Sequence, residues 1–133
     1  MGQILAEGLL RAGWEPNELV MAARREERAR EAERLTGVRT VLDVADAAAG
    51  RDVVVVAVKP KDVETLLEQV VSTLTRDQVV LSLAAGVPVA VFEAALPEIP
   101  IVRSMPNTPA AVDEGMAAYC SGAHAGEIAE QRA

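Results

Sequence analysis

The sequence predicts an α/β domain built on a doubly wound, mostly parallel sheet, and three observations predict it. Short apolar runs alternate with helical patterns along the 133 residues, the order that gives parallel strands joined by right-handed helical crossovers. The run Asp52 to Pro60, Asp-Val-Val-Val-Val-Ala-Val-Lys-Pro, holds five valines. An unbroken β-branched run of that length suits a central strand covered on both faces. Finally, several runs end in small or turn-forming residues. In an open parallel sheet the carboxyl ends of the strands gather on one edge, where ligands bind.

Taken in order, Ile4, Leu5, Gly8, Leu9 and Ala12 recur at helical spacing, with Gly13 as a stop. A doubly wound sheet should begin with a strand that feeds a glycine-rich turn into this helix, so the predicted sheet lacks its usual first strand. Trp14 to Asn17 read as a turn and Leu19 to Ala22 as a short strand, with Arg24 and Arg25 just past its end. Glu26 to Leu35 is dense in Glu, Arg and Ala, which predicts an exposed helix held by charge pairs four residues apart and ended by Gly37. Val38 to Leu42 read as a strand and Asp43 to Ala49 as a small helix before Gly50.

Lys59-Pro60 closes the valine strand, because proline cannot donate the next ladder hydrogen bond. Val63, Leu66, Leu67, Val70, Val71 and Leu74 then mark one face of an amphipathic helix, with Asp62 and Glu64 at its positive end. Val79 to Leu83 form the next strand, broken by Ala84-Ala85-Gly86. Pro88 opens a helix carrying Val91, Phe92, Ala95 and Leu96. Ile101 to Ser104 read as a strand, the sixth when the missing first is counted, Met105-Pro106-Asn107-Thr108-Pro109 as a turn, and Met116 to Cys120 as a last strand. From Ser121 a hinge or the start of a further helix follows.

Composition narrows the function classes. Half the residues are hydrophobic and a quarter charged, the balance of a soluble globular chain. No apolar run approaches the roughly 20 residues that span a bilayer, and the N-terminal residues lack a signal-peptide pattern. The expected location is the cytoplasm. A net charge of −7 argues against nucleic-acid or anionic-membrane partners, which need a basic surface. Cys120 is the one cysteine and His124 the one histidine, so neither a disulfide nor a metal site is expected.

On the predicted rim lie Arg24 and Arg25, Ala57 to Pro60, Leu83 to Gly86, and Ser104 to Asn107. Ala84, Ala85 and Gly86 let a flat ligand approach the backbone. Two arginines after the second strand suit a 2′-phosphate on an adenosine ribose, where a diol-binding site offers an acidic residue instead. With Glu26 and Glu27 following, they read equally as helix surface charges. Lys59 reads either as a ligand contact or as a solvated strand end.

Ala-Val-Lys-Pro at 57–60, Ser-Leu-Ala-Ala-Gly-Val at 82–87 and Arg-Ser-Met-Pro-Asn-Thr-Pro-Ala at 103–110 closely resemble pyrroline-5-carboxylate reductase, in that family's order and spacing. Residues 1–13 are similar to its first helix with the end of its glycine-rich loop. The resemblance implies a Rossmann-like NAD(P)-binding domain over residues 1–120, incomplete at its N-terminus. Residues 121–133 would be a tail, or the start of a helical dimerisation domain. It implies NADPH, or NADH, reducing 1-pyrroline-5-carboxylate to proline in a homo-oligomer. By the same resemblance Gly2 ends the pyrophosphate loop, and Ala22, Arg24 and Arg25 surround the adenosine ribose and its phosphate. Ala57, Val58, Lys59 and Pro60 follow the dinucleotide, Leu83, Ala84 and Ala85 lie near the nicotinamide, and Asn107 lies near nicotinamide and substrate. These are positioning roles, and no residue is assigned as catalytic.

The sequence also departs from that family. The initial strand, the Gly-x-Gly stretch and the helical domain with its Ser-Gly-Ser-Gly-Pro-type segment have no counterpart, and Val44 stands where many members carry a polar residue touching adenosine. Losing about four buried strand side chains, at ~1.5 to 3 kcal/mol each, removes on the order of 10 kcal/mol. The 133 residues alone are therefore expected to be poorly stable, to bind cofactor weakly and to turn over little or not at all. The alternatives are a non-catalytic nucleotide-binding or interaction fragment, and a related β-hydroxyacid-dehydrogenase-like or coenzyme F420-dependent oxidoreductase. Met-Pro-Asn-Thr-Pro combined with Ala-Val-Lys-Pro favours the reductase.

Overall fold

A computed structural model describes residues 1–107 and 115–133. Helices and parallel strands alternate as the sequence predicts. Helix α1 (Gly2–Arg11) leads through a 3₁₀ turn, Pro16–Glu18, to strand β1 (Met21–Ala22). Helix α2 (Glu26–Thr36), strand β2 (Thr40–Val41) and helix α3 (Val44–Ala48) follow. The valine run supplies β3 (Val53–Val56), and a 3₁₀ turn, Pro60–Asp62, passes into α4 (Val63–Val70). Then come β4 (Val79–Ser82), α5 (Val89–Ala95), β5 (Ile101–Pro106), β6 (Ala117–Ser121) and α6 (Glu127–Arg132).

Local chemistry sets these boundaries. Helix α2 carries Arg30–Glu26 and Arg28–Glu31 ion pairs one turn apart. It ends where Gly37, at φ +72°, donates its N–H to Glu33 O, a left-handed cap that a Cβ would penalise. The Asp43 carboxylate caps α3 by accepting from Ala45 N–H. Pro88 stands just outside α5 as its N-cap, one position earlier than the sequence suggests. Phe92 and Leu96 of that segment are buried.

The sheet has two parts. β1 and β2 pair in parallel as a two-stranded ladder, and β3-β4-β5-β6 form a second one. Within the second, β3–β4 and β4–β5 are parallel, and β6 runs antiparallel to β5. One face buries Val56, Val80 and Ile101 against Val63 and Leu67 of α4 and Phe92 and Leu96. The other packs Val79, Leu81 and Val102 against Ala129 of α6, so the C-terminal helix returns onto the sheet.

Two expectations change here. The valine strand is an edge of its ladder among the described residues, not a central strand, and Val55 is 38% exposed. The reason is pairing: β3 bonds to β4 on one side, and the β1–β2 ladder does not join it on the other. The strand after Pro100 also runs two residues further than expected, since Met105 and Pro106 stay paired with Ala118 and Ala117. The remainder of the expected turn, Thr108 and Pro109, lies outside the described residues.

One buried polar residue fixes the connections beneath the sheet. Gln78, 4% exposed, donates to Ala48 O at 2.8 Å and Arg51 O at 2.6 Å, and accepts from Thr75 N–H at 2.9 Å. It thereby bonds three backbone groups from two connections while satisfying its own buried amide.

Candidate functional site

The carboxyl ends of β3, β4 and β5 lie side by side, because Val56 pairs with Ser82 and Ser82 with Arg103. Registered side chains share a sheet face. Leu83 N–H donates to Val56 O, so the segment after β4 begins directly beside the end of β3. Ala84 is buried, Leu83 half-buried and Ala85 exposed. Gly86 then turns at φ +73°, a conformation that side chains disfavour. The result is a floor of small residues with its backbone open to the rim.

Helix α1 brings Gly2 onto that floor. A Cβ at Gly2 would stand 3.4 Å from Ala57 Cβ, so a single methyl group would span the space between the start of the helix and the strand end. No side chain caps α1, and its first turn holds no acid. Its leading amides are therefore available to an anion, and the helix dipole favours negative charge there. Val58 is half-buried beside this contact, and Lys59 and Pro60 are exposed on the rim.

The second ladder contact is ionic. Arg24, just past β1, pairs with Asp62 at 2.6 Å between Nη2 and Oδ2, which ties the β1 end to the turn after β3. The Arg24 hydrogen bond, with charge from Arg24, Lys61 and Lys59, holds the Asp62 carboxyl below its usual value against a smaller opposing effect of burial. Arg25 is exposed and makes no ion pair among the described residues. Ala22 is exposed at the end of β1. Asn107 is exposed where β5 ends: its N–H donates to Met116 O and its Oδ1 accepts from Met116 N–H.

Of the residues expected at the site, Gly2 meets Ala57 directly, and Arg24 reaches the Pro60–Asp62 turn. Leu83 to Ala85 adjoin the end of β3 through the ladder. Asn107 is tied to Met116 by two hydrogen bonds, and among the described residues no hydrogen bond or ion pair joins the Ala22 or Arg25 side chain to the group. Sequence reasoning missed Asp62 as a partner of Arg24, since nothing local marks a pairing across two ladders. It also passed over Arg103, half-buried with an Nε that is enclosed and unpartnered. The spacing of Arg103 from the Met-Pro-Asn block was the available signal.

The donor set suits a phosphate-bearing dinucleotide: uncapped amides at α1, guanidinium groups at Arg24 and Arg25, ammonium groups at Lys59 and Lys61, and a small-residue floor. A cleft of about 330 Å³ adjoins it between Pro60 and the Gly86–Pro88 turn. A second cleft, of about 380 Å³ beside Val71 and Leu96, lies at the opposite end of the strands and is unrelated to the rim. Among the described residues no group of three or more His, Cys, Asp or Glu is placed to hold a metal, and no helix is long and apolar enough to cross a membrane.

Comparison with known proteins finds relatives of one kind over nearly the whole chain. The chain is 36% identical over 126 residues to the pyrroline-5-carboxylate reductase of Corynebacterium melassecola, covering 92% of this chain and 47% of that protein. It superposes on the pyrroline-5-carboxylate reductase of Coxiella burnetii with a TM-score of 0.91 and 29% identity, over 98% of this chain and 49% of that one. The NADP-bound Plasmodium falciparum pyrroline carboxylate reductase matches with a TM-score of 0.86 and 25% identity, over 99% of this chain and 48% of that one. The chain thus spans about half the length of the curated relatives it matches. The fold is Rossmann-like, as in these neighbours. Residues 1–86 match the model of the family described as NADP oxidoreductase, coenzyme F420-dependent, and the chain belongs to that family.

Proposed function

We propose that this chain is the dinucleotide-binding half of an NADPH-dependent pyrroline-5-carboxylate reductase. The observation that carries the reading is the meeting of separate chain segments on one rim: Gly2 against Ala57, Arg24 against the turn after Pro60, and Leu83 to Ala85 beside the end of β3. NADP bound to the Plasmodium falciparum relative supports the choice of cofactor, with NADH as the alternative.

A bound nicotinamide would supply the hydride for the C=N bond. The chain's own residues bind and orient. The amides opening α1 hold the pyrophosphate, helped by the dipole. Arg24 and Arg25 take the ribose phosphate, where a planar fork of donors matches phosphate oxygens. Ala57 to Pro60 follow the dinucleotide. Leu83, Ala84 and Ala85 support the nicotinamide, and Asn107 stands toward the substrate, so that donor carbon and imine are held in line.

A second reading comes from the family description, coenzyme F420-dependent hydride exchange with NADP. Its match ends at residue 86, before the Arg103 to Pro106 block. The reductase relatives align over 126 residues or more, which favours an imine substrate. Proline formation, a cytoplasmic location and homo-oligomeric assembly belong to the same proposal. They concern a chain that also carries the other half of the relatives' length.

Joining residues 1–133 to the remaining half of the Corynebacterium melassecola relative tests the substrate. Oxidation of NADPH that depends on added pyrroline-5-carboxylate is expected. Oxidation that depends on coenzyme F420 instead would overturn the reductase reading. The 133 residues alone are expected to bind NADPH weakly and to turn over negligibly, and robust turnover by them would contradict the division of labour.

A further inference from the structure

We infer that Asp62 is a positioning residue for cofactor discrimination: it holds the Arg24 guanidinium across the groove so that the remaining donors face a ribose phosphate. The inference rests on the cofactor reading above.

The two residues come from separate ladders. Arg24 follows β1, Asp62 closes the 3₁₀ turn after β3, and the 2.6 Å contact between them spans the gap. The pair is asymmetric. The Asp62 side chain is 18% exposed and that of Arg24 66%, so the carboxylate is the fixed member and the guanidinium the outward one.

Asp62 also forgoes its ordinary local role. It is the N-cap of α4, yet its side chain accepts no cap hydrogen bond. Aspartate is favoured at that position because its carboxylate can satisfy a free helix amide. At φ −103° and ψ −4° the backbone of Asp62 is already helical and its side chain is not placed to cap, which leaves the carboxylate to the distant arginine.

The geometry of arginine completes the argument. Its fork offers five N–H donors in one plane, and Asp62 is its one partner among the described residues, engaged through Nη2. Nε and Nη1 stay available for a phosphate, and a long flexible side chain already held in place loses less freedom on binding. The anionic charge of Asp62 does not make the groove repulsive. Lys59 and Lys61 add positive charge beside Arg24, and Glu26 is already paired with Arg30.

The test compares adenosine 2′,5′-bisphosphate with adenosine 5′-monophosphate, which differ by the 2′-phosphate, titrated calorimetrically into the full chain. Wild type should prefer the bisphosphate. Asp62→Asn should weaken bisphosphate binding roughly fivefold to tenfold, the coupling expected of neighbours in one network, and leave the monophosphate unchanged. Asp62→Glu should recover part of the loss. Arg24→Gln should lose as much, with no further loss in the double variant. Bisphosphate affinity that holds or rises in Asp62→Asn would overturn the inference while the cofactor reading stands. So would equal weakening of both ligands, which marks a merely structural tie. A wild-type chain that does not discriminate the two removes the cofactor reading and this inference with it.

Discussion

Gly2 and Ala57 lie so close that a Cβ on the glycine would stand 3.4 Å from the alanine Cβ. That is ordinary contact with no room to spare, and it sets the start of α1 against the end of β3. Gly2→Ala should therefore fit, leaving NADPH affinity within about twofold. Gly2→Val or Ala57→Leu inserts further carbons into a filled contact, where overpacking typically costs ~1 to 3 kcal/mol. NADPH affinity, followed by fluorescence titration, should fall about tenfold or more in either variant.

The Arg24–Asp62 pair has a pH signature. Its hydrogen bond from Arg24 and the nearby positive charges depress the Asp62 carboxyl below 3.8 in the folded chain. A depressed folded value means that the pair's contribution is complete above the unfolded value and is lost as pH falls through the lower, folded one. NMR titration of the carboxyl carbon should show Asp62 ionising below 3.8 in wild type and moving up toward the ordinary value in Arg24→Gln. An unchanged titration in that variant would remove the pair from solution.

Gln78 is the sharpest stability test. Gln78→Leu keeps the volume but removes the partner of Arg51 O and Thr75 N–H in a part-buried turn cluster, and leaves Ala48 O with only the longer bond from Arg51 N–H. Unsatisfied buried groups cost ~1 to 3 kcal/mol. Urea unfolding should show a loss of about 2 to 3 kcal/mol with an unchanged slope. A loss within a few tenths of a kcal/mol would mean that these bonds do not persist in solution.

The β3 edge should govern solubility. Val79 N–H donates to Asp52 O and Leu83 N–H to Val56 O, so the intervening peptide groups of Val53 and Val55 face away from β4. Unpaired, flat, apolar edges recruit other strands, and a lysine blunts them. Val55→Lys, at a half-exposed position, should slow aggregation several-fold in light scattering while leaving the far-ultraviolet dichroism unchanged.

Much of this was legible in the sequence, and unevenly so. Helix α4 could be placed because Val63, Leu67 and Val70 repeat at helical spacing and are indeed buried. Gly37 could be read as a stop because its residue type dictates the left-handed turn it adopts. The rim itself follows from parallel pairing, which aligns the ends of β3, β4 and β5 without reference to any one side chain. Sheet position was not legible: five valines specify a strand but not how many neighbours it has, so Val55 was expected inside and lies at an edge. Asp62 and Gln78 escaped for a related reason. Their partners, Arg24, Ala48 and Arg51, are brought near only by tertiary folding, and a polar residue at a helix start or before a strand carries no mark of a distant acceptor.

The central claim is that one rim receives a nicotinamide dinucleotide. Amide chemical-shift mapping of the isotopically labelled chain during NADPH titration tests it most directly. The account predicts shifts concentrated at Gly2, Ala22 to Arg25, Ala57 to Asp62, Leu83 to Gly86 and Asn107. Shifts centred instead on Val71, Leu74 and Leu96, at the opposite end of the strands, or scattered without focus, would contradict it.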